Sequence, residues 1–118
     1  IMEIIKTNEL QLTDYGLYQM FDALNKCLGK NIIKMGKAVI KPGARIPLEG
    51  MHPHAEDEFS YVLKGTLVSG TEKVQKNITS GEFSFIPKET KHWCKNESNE
   101  DCELIWFLVG ENLSNSTI

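Results

Sequence analysis

The chain has 118 residues, of which 41% are hydrophobic and 25% are charged, close to the averages for a globular domain. This length leaves room for one domain with one core, because domains typically run to about 100–150 residues. Thirteen basic and 16 acidic side chains give a formal net charge of -3 with no long run of either sign. The basic patch of a nucleic-acid-binding protein is therefore excluded.

The sequence also lacks the features of membrane insertion and export. It contains no apolar run of 18 residues, and the first nine residues carry three charged side chains where a signal peptide would be apolar. Cys27, Cys94 and Cys102 are odd in number and widely spaced, which does not suit a disulfide framework. These features predict a cytoplasmic protein without a membrane partner.

Short apolar segments separated by glycine, proline and asparagine predict β-strands rather than helices. The predicted strands cover residues 32–41, 58–63, 66–70, 81–86 and 103–109. The last of them, ELIWFLV, is a continuous apolar run of the kind found in strands that are buried on both faces. Strands spaced by roughly 8–12 residues are typical of an all-β sandwich or barrel, which is the predicted fold class.

Residues 17–28, LYQMFDALNKCL, leave two structures open. Their apolar positions follow a helical period, but Gly16 and Gly29 would equally well bracket a strand that turns at Asn25-Lys26. Whether it is a helix or a strand, the segment is predicted to belong to the same single domain as the rest of the chain. The predicted organisation is an N-terminal strand or arm region, a barrel and a polar C-terminal tail, at residues 1–31, 32–109 and 110–118.

Two of the three histidines lie in the stretch HPHAEDEFSYVLKG. If this part of the chain is extended, His52 and His54 project to the same side, about 7 Å apart. Glu58 follows after three residues that can turn the chain and return its carboxylate to the same interior. His92 follows a predicted strand and a turn at Pro87, so it could complete a metal site from a neighbouring strand.

These residues resemble the two motifs of the cupin family, G-x5-H-x-H-x3,4-E-x6-G and G-x5-P-x-G-x2-H-x3-N. The matching residues are His52, His54, Glu58 and Gly65 in the first motif, and Gly81, Pro87, His92 and Asn96 in the second. The leading glycine of the first motif is displaced, and Glu89 replaces the inner glycine of the second. The resemblance covers about residues 32–109 and implies a small jelly-roll β-barrel with one divalent metal ion inside.

Three imidazoles and one carboxylate suit a divalent transition metal: Fe, Mn, Ni, Co, Cu or Zn. Structural zinc more often takes thiolates in a closed tetrahedron, and no pair of cysteines in this chain offers one. Four protein ligands on an octahedral ion would leave two positions for water, substrate or dioxygen. The predicted ion is therefore a potential Lewis acid or redox centre.

Other side chains are weaker candidates for a pocket around the ion. Cys94 shares the strand parity of His92, and Arg45 could pair with a substrate carboxylate, although surface exposure is the simpler prediction for an arginine. Aromatic residues could line a pocket that excludes water, or could simply pack in the core. The aromatic candidates are Tyr61, Phe83, Phe85, Trp93 and Trp106.

Two classes of function remain open. The first is a metal-dependent enzyme that acts on a small polar or carbonyl-bearing molecule, for which the resemblance implies dioxygenase, isomerase or lyase chemistry. The second is a non-catalytic cupin that binds a small ligand or a metal as a sensor or storage module. A metal-free epimerase is disfavoured, because that chemistry relies on a His/Tyr pair. The resemblance also implies a homodimer that covers the exposed edges of the sheets.

Overall fold

The computed structural model describes residues 1–112, which form two antiparallel β-sheets with the core between them. The larger sheet has the strand order β1-β2-β3-β10-β5-β8 and the smaller one β4-β9-β6-β7. The strands are β1 Gln11–Asp14, β2 Tyr18–Leu28, β3 Asn31–Ile40, β4 Arg45–Ile46, β5 Asp57–Lys64, β6 Thr66–Thr71, β7 Gln75–Thr79, β8 Phe83–Ile86, β9 His92–Lys95 and β10 Cys102–Glu111. This jelly-roll arrangement, in which the two sheets stay separate, confirms the predicted all-β fold class.

Each of the five predicted strands is present, and five further strands complete the sheets within the described residues. Those that the sequence pattern did not reveal are short or polar, such as β1 and β7. Edge strands with exposed side chains on both faces carry little hydrophobic alternation, so they leave a weak signal. Within residues 1–112, no helix has the length and apolar character needed to cross a membrane.

Residues 17–28 form a strand. β2 pairs with β1 on one side and with β3 on the other, and its register with β3 shifts between Asp22 and Leu24. The extra residue at this irregularity reverses the alternation of the side chains, which explains the near-helical spacing of the apolar positions. The turn that ends β2 lies at Gly29-Lys30 rather than at Asn25-Lys26. The polar tail that we predicted falls mostly on residues 113–118, which lie outside the described part of the chain.

The core depends on a close contact between β3 and β10. A Cβ atom added to Gly36 would lie 2.1 Å from the carbonyl oxygen of Phe21 and 2.3 Å from Cζ2 of Trp106. Only glycine leaves room at this position for the indole to lie against the neighbouring strand. Trp106 packs there with a cluster of buried residues from both sheets, namely Ala38, Ile40, Ala44, Val62, Leu67, Cys102 and Leu104.

Asn96, which ends the second sequence motif, is fully buried and connects several backbone segments. Its Nδ2 atom donates hydrogen bonds of 2.8 Å to the carbonyl oxygens of Ile40 and Glu100. Its Oδ1 atom accepts from the backbone N–H and the hydroxyl group of Ser98, at 3.0 and 2.7 Å. The side chain therefore satisfies both of its polar atoms while it fixes the loop between β9 and β10 to the end of β3.

We expect Asn96→Ala to lower the free energy of unfolding by about 2–4 kcal/mol, because it removes a fully buried amide together with the hydrogen bonds that it donates to the carbonyl oxygens of Ile40 and Glu100. Chemical denaturation monitored by circular dichroism measures this change. Ser98→Ala is the matched control in the same network and should cost about 0.5–1.5 kcal/mol, since it removes a single hydroxyl group. Equal effects of the two substitutions would contradict the central role of Asn96.

Candidate metal centre

The two sheets enclose a cavity of about 810 Å³, within the size range of small-molecule sites. Most of its lining is apolar, but polar side chains of β5 and β8 gather towards one end of it. We call Glu58, Ser60 and Ser84 the polar wall. Alternate residues of β5 face the cavity, and they change from charged to apolar along the strand in the order Glu58, Ser60 and Val62. The cavity thus offers an apolar interior with polar groups gathered at one end.

Three side chains converge at the polar end of the cavity: His54, Glu58 and His92. Their potential ligand atoms all lie within 4.8 Å of one another. Oε1 of Glu58 is 3.9 Å from Nε2 of His54, and Oε2 is 3.8 Å from Nε2 of His92. The imidazole rings of the two histidines have centroids 4.9 Å apart. The carboxylate therefore lies between two imidazole nitrogens that face it.

Backbone contacts position this group of side chains. Glu58 lies on β5 between β10 and β8, opposite Leu108 on one side and Ile86 on the other. His92 begins β9, and its Nδ1 atom lies 2.8 Å from the carbonyl oxygen of Thr90. A carbonyl oxygen can only accept, so this contact places the ring proton on Nδ1 in the neutral imidazole and leaves Nε2 free towards Glu58.

The loop before β9 also holds His54. The backbone N–H of Glu89 donates a 2.7 Å hydrogen bond to the carbonyl oxygen of His54. Glu89 replaces a glycine of the sequence motif, and it still adopts a left-handed backbone with φ of 64°. This conformation costs a residue with a side chain roughly 1–2 kcal/mol. The loop therefore keeps the shape that the glycine would give it.

His52 is placed differently from the other two histidines. Its backbone forms an isolated antiparallel bridge with His92, with N–O distances of 2.9 and 3.3 Å. The side chain is exposed and borders the cavity, and its ring centroid lies 6.5 Å from that of His54. The structure thus brings three of the four predicted ligands together and leaves His52 beside them.

The donor set fits a transition metal ion. Ligand atoms that lie about 2.1 Å from a common ion are about 3–4 Å from each other, and the two distances to Glu58 fall in this range. Two imidazoles and a carboxylate are also the donor types that such ions prefer. The imidazole of His92 is better shielded from solvent than that of His54, because its side chain is only 12% exposed, whereas that of His54 is 42% exposed.

Of the other predicted pocket residues, Cys94 and Trp106 line the cavity. Burial, followed by the nearby Glu58 carboxylate, raises the pKa of Cys94 to about 12. The thiol is therefore neutral near pH 7 and does not act as a ready nucleophile. Burial also raises the pKa of Tyr18, another residue of the lining, so its phenol keeps its proton.

Five predicted pocket residues do not line the cavity. Phe83, Phe85 and Tyr61 alternate with cavity-facing residues of β8 and β5, so they project from the opposite face of the larger sheet. Arg45 lies with its guanidinium carbon 4.9 Å from the ring centre of Trp93 and donates a 2.8 Å hydrogen bond to the carbonyl oxygen of Pro47. Trp93 is likewise absent from the cavity lining.

Two serines of the polar wall were not among the predicted site residues. The hydroxyl groups of Ser60 and Ser84 lie 2.5 Å apart on neighbouring strands, and both residues border the cavity. Trp106 lies opposite Ser60 on β10, and its indole Nε1 atom is buried without a hydrogen-bond partner among the described residues. Strand parity with Glu58 could have identified Ser60, because both belong to the alternation of EFSYVL.

Comparison with known proteins agrees with this fold. Residues 36–108, more than half of the chain, match the family described as Cupin domain. The chain therefore belongs to the cupin family. The candidate His/Glu metal site described above lies within the matched region.

Individual relatives are more distant. Protein SchB of Streptomyces halstedii is 35% identical over 74 residues, which are 63% of this chain and 52% of that protein, so the chain spans about half the length of this curated relative. A predicted oxalate decarboxylase from Thermotoga maritima has a TM-score of 0.74 at 19% identity, with 91% of this chain and 98% of that chain covered. The polyketide cyclase RemF from Streptomyces resistomycificus has a TM-score of 0.75 at 14% identity, with 92% and 80% covered. At these identities, the two structures support the fold alone.

The contact between His92 and Thr90 predicts one tautomer for this imidazole. In metal-free protein at a pH where the ring is neutral, we expect the proton on Nδ1, since the carbonyl oxygen of Thr90 accepts it. Long-range ¹H–¹⁵N correlation spectra distinguish the two ring nitrogens, and a His92→Ala variant assigns the signals. A proton on Nε2 would contradict the orientation described above.

Proposed function

We propose that this cupin is a metal-dependent enzyme that acts on a small molecule bound in the cavity between the sheets. The observation that carries the proposal is the convergence of His54, Glu58 and His92 at the polar end of that cavity. A binding site of this size with metal-ligand donors at one end can hold an ion and a substrate side by side. The proposed cofactor is one divalent transition metal ion per chain.

The proposed ligand set is His54, Glu58 and His92, with His52 as a fourth ligand. Residues directly opposite each other in an antiparallel bridge typically have Cβ atoms about 4.5–5.5 Å apart on the same face. His52 and His92 form such a bridge. Rotation of the exposed His52 side chain would therefore bring its imidazole towards the other three groups without moving the backbone. When bound, such an ion supplies Lewis-acid or redox chemistry to a substrate oxygen.

The lining of the cavity indicates the kind of substrate. A carbon skeleton would pack against the apolar lining, of which Trp106 and Leu104 are part. Oxygen-bearing groups would face the polar wall, where the hydroxyl groups of Ser60 and Ser84 can donate and accept hydrogen bonds. We therefore propose a substrate with an apolar body and one or more carbonyl, carboxylate or hydroxyl groups. The names of the two structural relatives imply different reactions, so the fold does not choose among oxidation, isomerisation and lyase chemistry.

A non-catalytic binding protein is the second candidate. It is supported by the chemistry of the lining near the metal set, where the Cys94 thiol and the Tyr18 phenol both keep their protons. These groups are poorly suited to accept a proton from a substrate near pH 7. A protein that only binds its ligand would not need a side chain that accepts a proton from it.

We expect purified protein to bind about one transition metal ion per chain, as measured by elemental analysis and by calorimetric titration of chelator-treated protein with Mn(II), Ni(II) and Zn(II). Glu58→Gln and His92→Ala should each weaken binding by about 100-fold or more, because they remove ligands from a small set. His52→Ala should weaken it by about 10-fold, since this side chain must first rotate into place.

Glu56→Gln is the matched control, because Glu56 lies two residues from Glu58 and outside the group of converging side chains. It contacts Lys34 instead, at 3.7 Å. The Glu56→Gln variant should bind metal with the same affinity as the unmodified protein. Stoichiometric binding that survives both Glu58→Gln and His92→Ala would refute the proposed site, and an unchanged affinity in His52→Ala would remove His52 from the ligand set.

Turnover distinguishes the enzyme from the binding protein. Metal-loaded protein incubated with a cell metabolite extract should convert at least one compound into another, as followed by mass spectrometry, and Glu58→Gln should not. Parallel oxygen-electrode measurements separate oxidation from isomerisation or lyase chemistry. If compounds are instead retained by the protein and recovered unchanged, the binding function is correct.

A further inference from the structure

Polar side chains line the cavity on β1 and β2, on the side of a sheet where a sandwich normally places apolar ones. Gln11, Asp22 and Asn25 all border the cavity, and we call them the β1–β2 polar group. Leu12 and Phe21, which pair with each other across the same two strands, are absent from the cavity lining. Inward-facing residues of a packed sandwich are usually apolar and outward-facing residues polar, so the order is reversed here.

The irregularity in β2 is what brings Asp22 and Asn25 to the same face. Residues three apart on a regular strand point to opposite faces. Here the register with β3 shifts, so that Asp22 pairs with Gly36 and Asn25 pairs with Lys34. Gly36 and Lys34 are two residues apart on β3 and therefore share a face. Bulges of this kind are common beside functional sites, where they re-aim a side chain.

The side chains of the β1–β2 polar group are available to a ligand. Among residues 1–112, none of the three makes a side-chain hydrogen bond or an ion pair, and all three are exposed. Gln11 lies directly opposite Asp22, so the two side chains can reach the same ligand. A carboxylate accepts hydrogen bonds, whereas an amide both donates and accepts them. Together these groups match hydroxyl groups, which also donate and accept.

The charges around the β1–β2 polar group favour a neutral ligand. The carboxylate of Asp22 would repel an anion, and the ammonium group of Lys34, which lies opposite Asn25, would repel a cation. The Nζ atom of Lys34 is 3.7 Å from Oε2 of Glu56, so its charge is partly compensated. Glu58, the remaining acidic residue of the lining, belongs to the candidate metal centre.

A row of paired residues connects the β1–β2 polar group to the candidate metal centre. The row crosses β2, β3, β10 and β5, and its residues are Asn25, Lys34, Leu108 and Glu58. Neighbouring strands lie about 4.8 Å apart, so Asn25 is about 14 Å from Glu58 along the sheet. A molecule that contacts both ends is therefore longer than a single ring. The cavity of about 810 Å³ has room for such a molecule.

We propose that the β1–β2 polar group is a second subsite of the cavity, which binds the hydroxyl-bearing end of an uncharged substrate. This inference rests on the small-molecule site proposed above and narrows its substrate class to neutral molecules with an apolar body and a polyhydroxylated end. Asp22 accepts hydrogen bonds from the hydroxyl groups, and the amides of Gln11 and Asn25 donate to the hydroxyl oxygens. The subsite sets specificity and orientation, and the chemistry takes place at the other end of the cavity.

Calorimetric titration with two probes tests the proposal: phenyl β-D-glucoside, and 2-phenoxytetrahydropyran, which has the same two rings without hydroxyl groups. We expect the glucoside to bind with a dissociation constant in the millimolar range and more tightly than the second probe. This preference should fall about 10-fold in Asp22→Ala and about 5-fold in Asn25→Ala, because each removes hydrogen-bond partners of the hydroxyl groups. Asn77→Ala is the matched control, since Asn77 is an exposed strand residue that does not border the cavity. It should leave the preference unchanged.

A measurement on the unmodified protein avoids any dependence on the folding of variants. The glucoside should shift the side-chain amide signal of Asn25 in ¹H–¹⁵N spectra and leave that of Asn77 in place. The proposal is overturned if the glucoside does not bind, if the Asn25 signal does not shift, or if both folded variants keep the full preference.

Metal titration of the same variants separates this subsite from the metal-dependent function. Asp22→Ala and Asn25→Ala should bind metal with unchanged affinity, because neither residue belongs to the proposed ligand set. If they do so but keep the full preference for the glucoside, the subsite is refuted and the metal centre stands. If the chain binds no metal but shows the preference and its loss in the variants, the subsite stands and the metal-dependent function is refuted.

Discussion

The position of β5 between β10 and β8 is the constraint on which the rest of this structure depends. Its hydrogen-bonded register with both neighbours determines that Glu58, Ser60 and Val62 face the cavity, and that Phe59 and Tyr61 face outward. A slip of one residue would exchange these two sets, because side chains alternate along a strand. It would place the rings of Phe59 and Tyr61 in the cavity and the carboxylate of Glu58 on the outer face of the sheet. The register of this one strand thus decides whether Glu58 can join His54 and His92 in the candidate metal centre.

The candidate centre also depends on contacts that bring distant parts of the chain together. His54 is in a loop, and its carbonyl oxygen accepts from Glu89 of a second loop. His52 and His92 pair through their backbones, and the side chain of Asn96 ties the following loop to β3. The residues of the two sequence motifs therefore have two different roles. Some offer donor atoms to the cavity, and others hold the loops that carry those donors.

Several features could be predicted from the sequence, because they depend on local spacing. The strands with clear alternation and the all-β fold class follow from patterns of a few residues. The grouping of Glu58 with His54 and His92 was predicted from two separate motifs, HPHAEDE and the segment that follows Pro87. The position of Cys94 in the cavity wall likewise follows from its parity with His92. The outward placement of Phe83 and Phe85 could not be obtained in this way. Alternation shows that Phe83 and Ser84 face opposite sides of a strand, but not which side faces the core.

By itself, the sequence determined the all-β fold class and indicated the candidate residues for a metal site, since hydrophobic periodicity and motif spacing are properties of the local chain. Only the tertiary structure decided which face of each strand is buried and which histidines converge. His52 shows the physical reason: a spacing of two residues places side chains together only in a regular strand, and here Pro53, which has no N–H group, lies between the two histidines in a loop with a single bridge. The directions of such side chains depend on contacts with β9 and the loop before it, and these contacts form only when the two sheets pack.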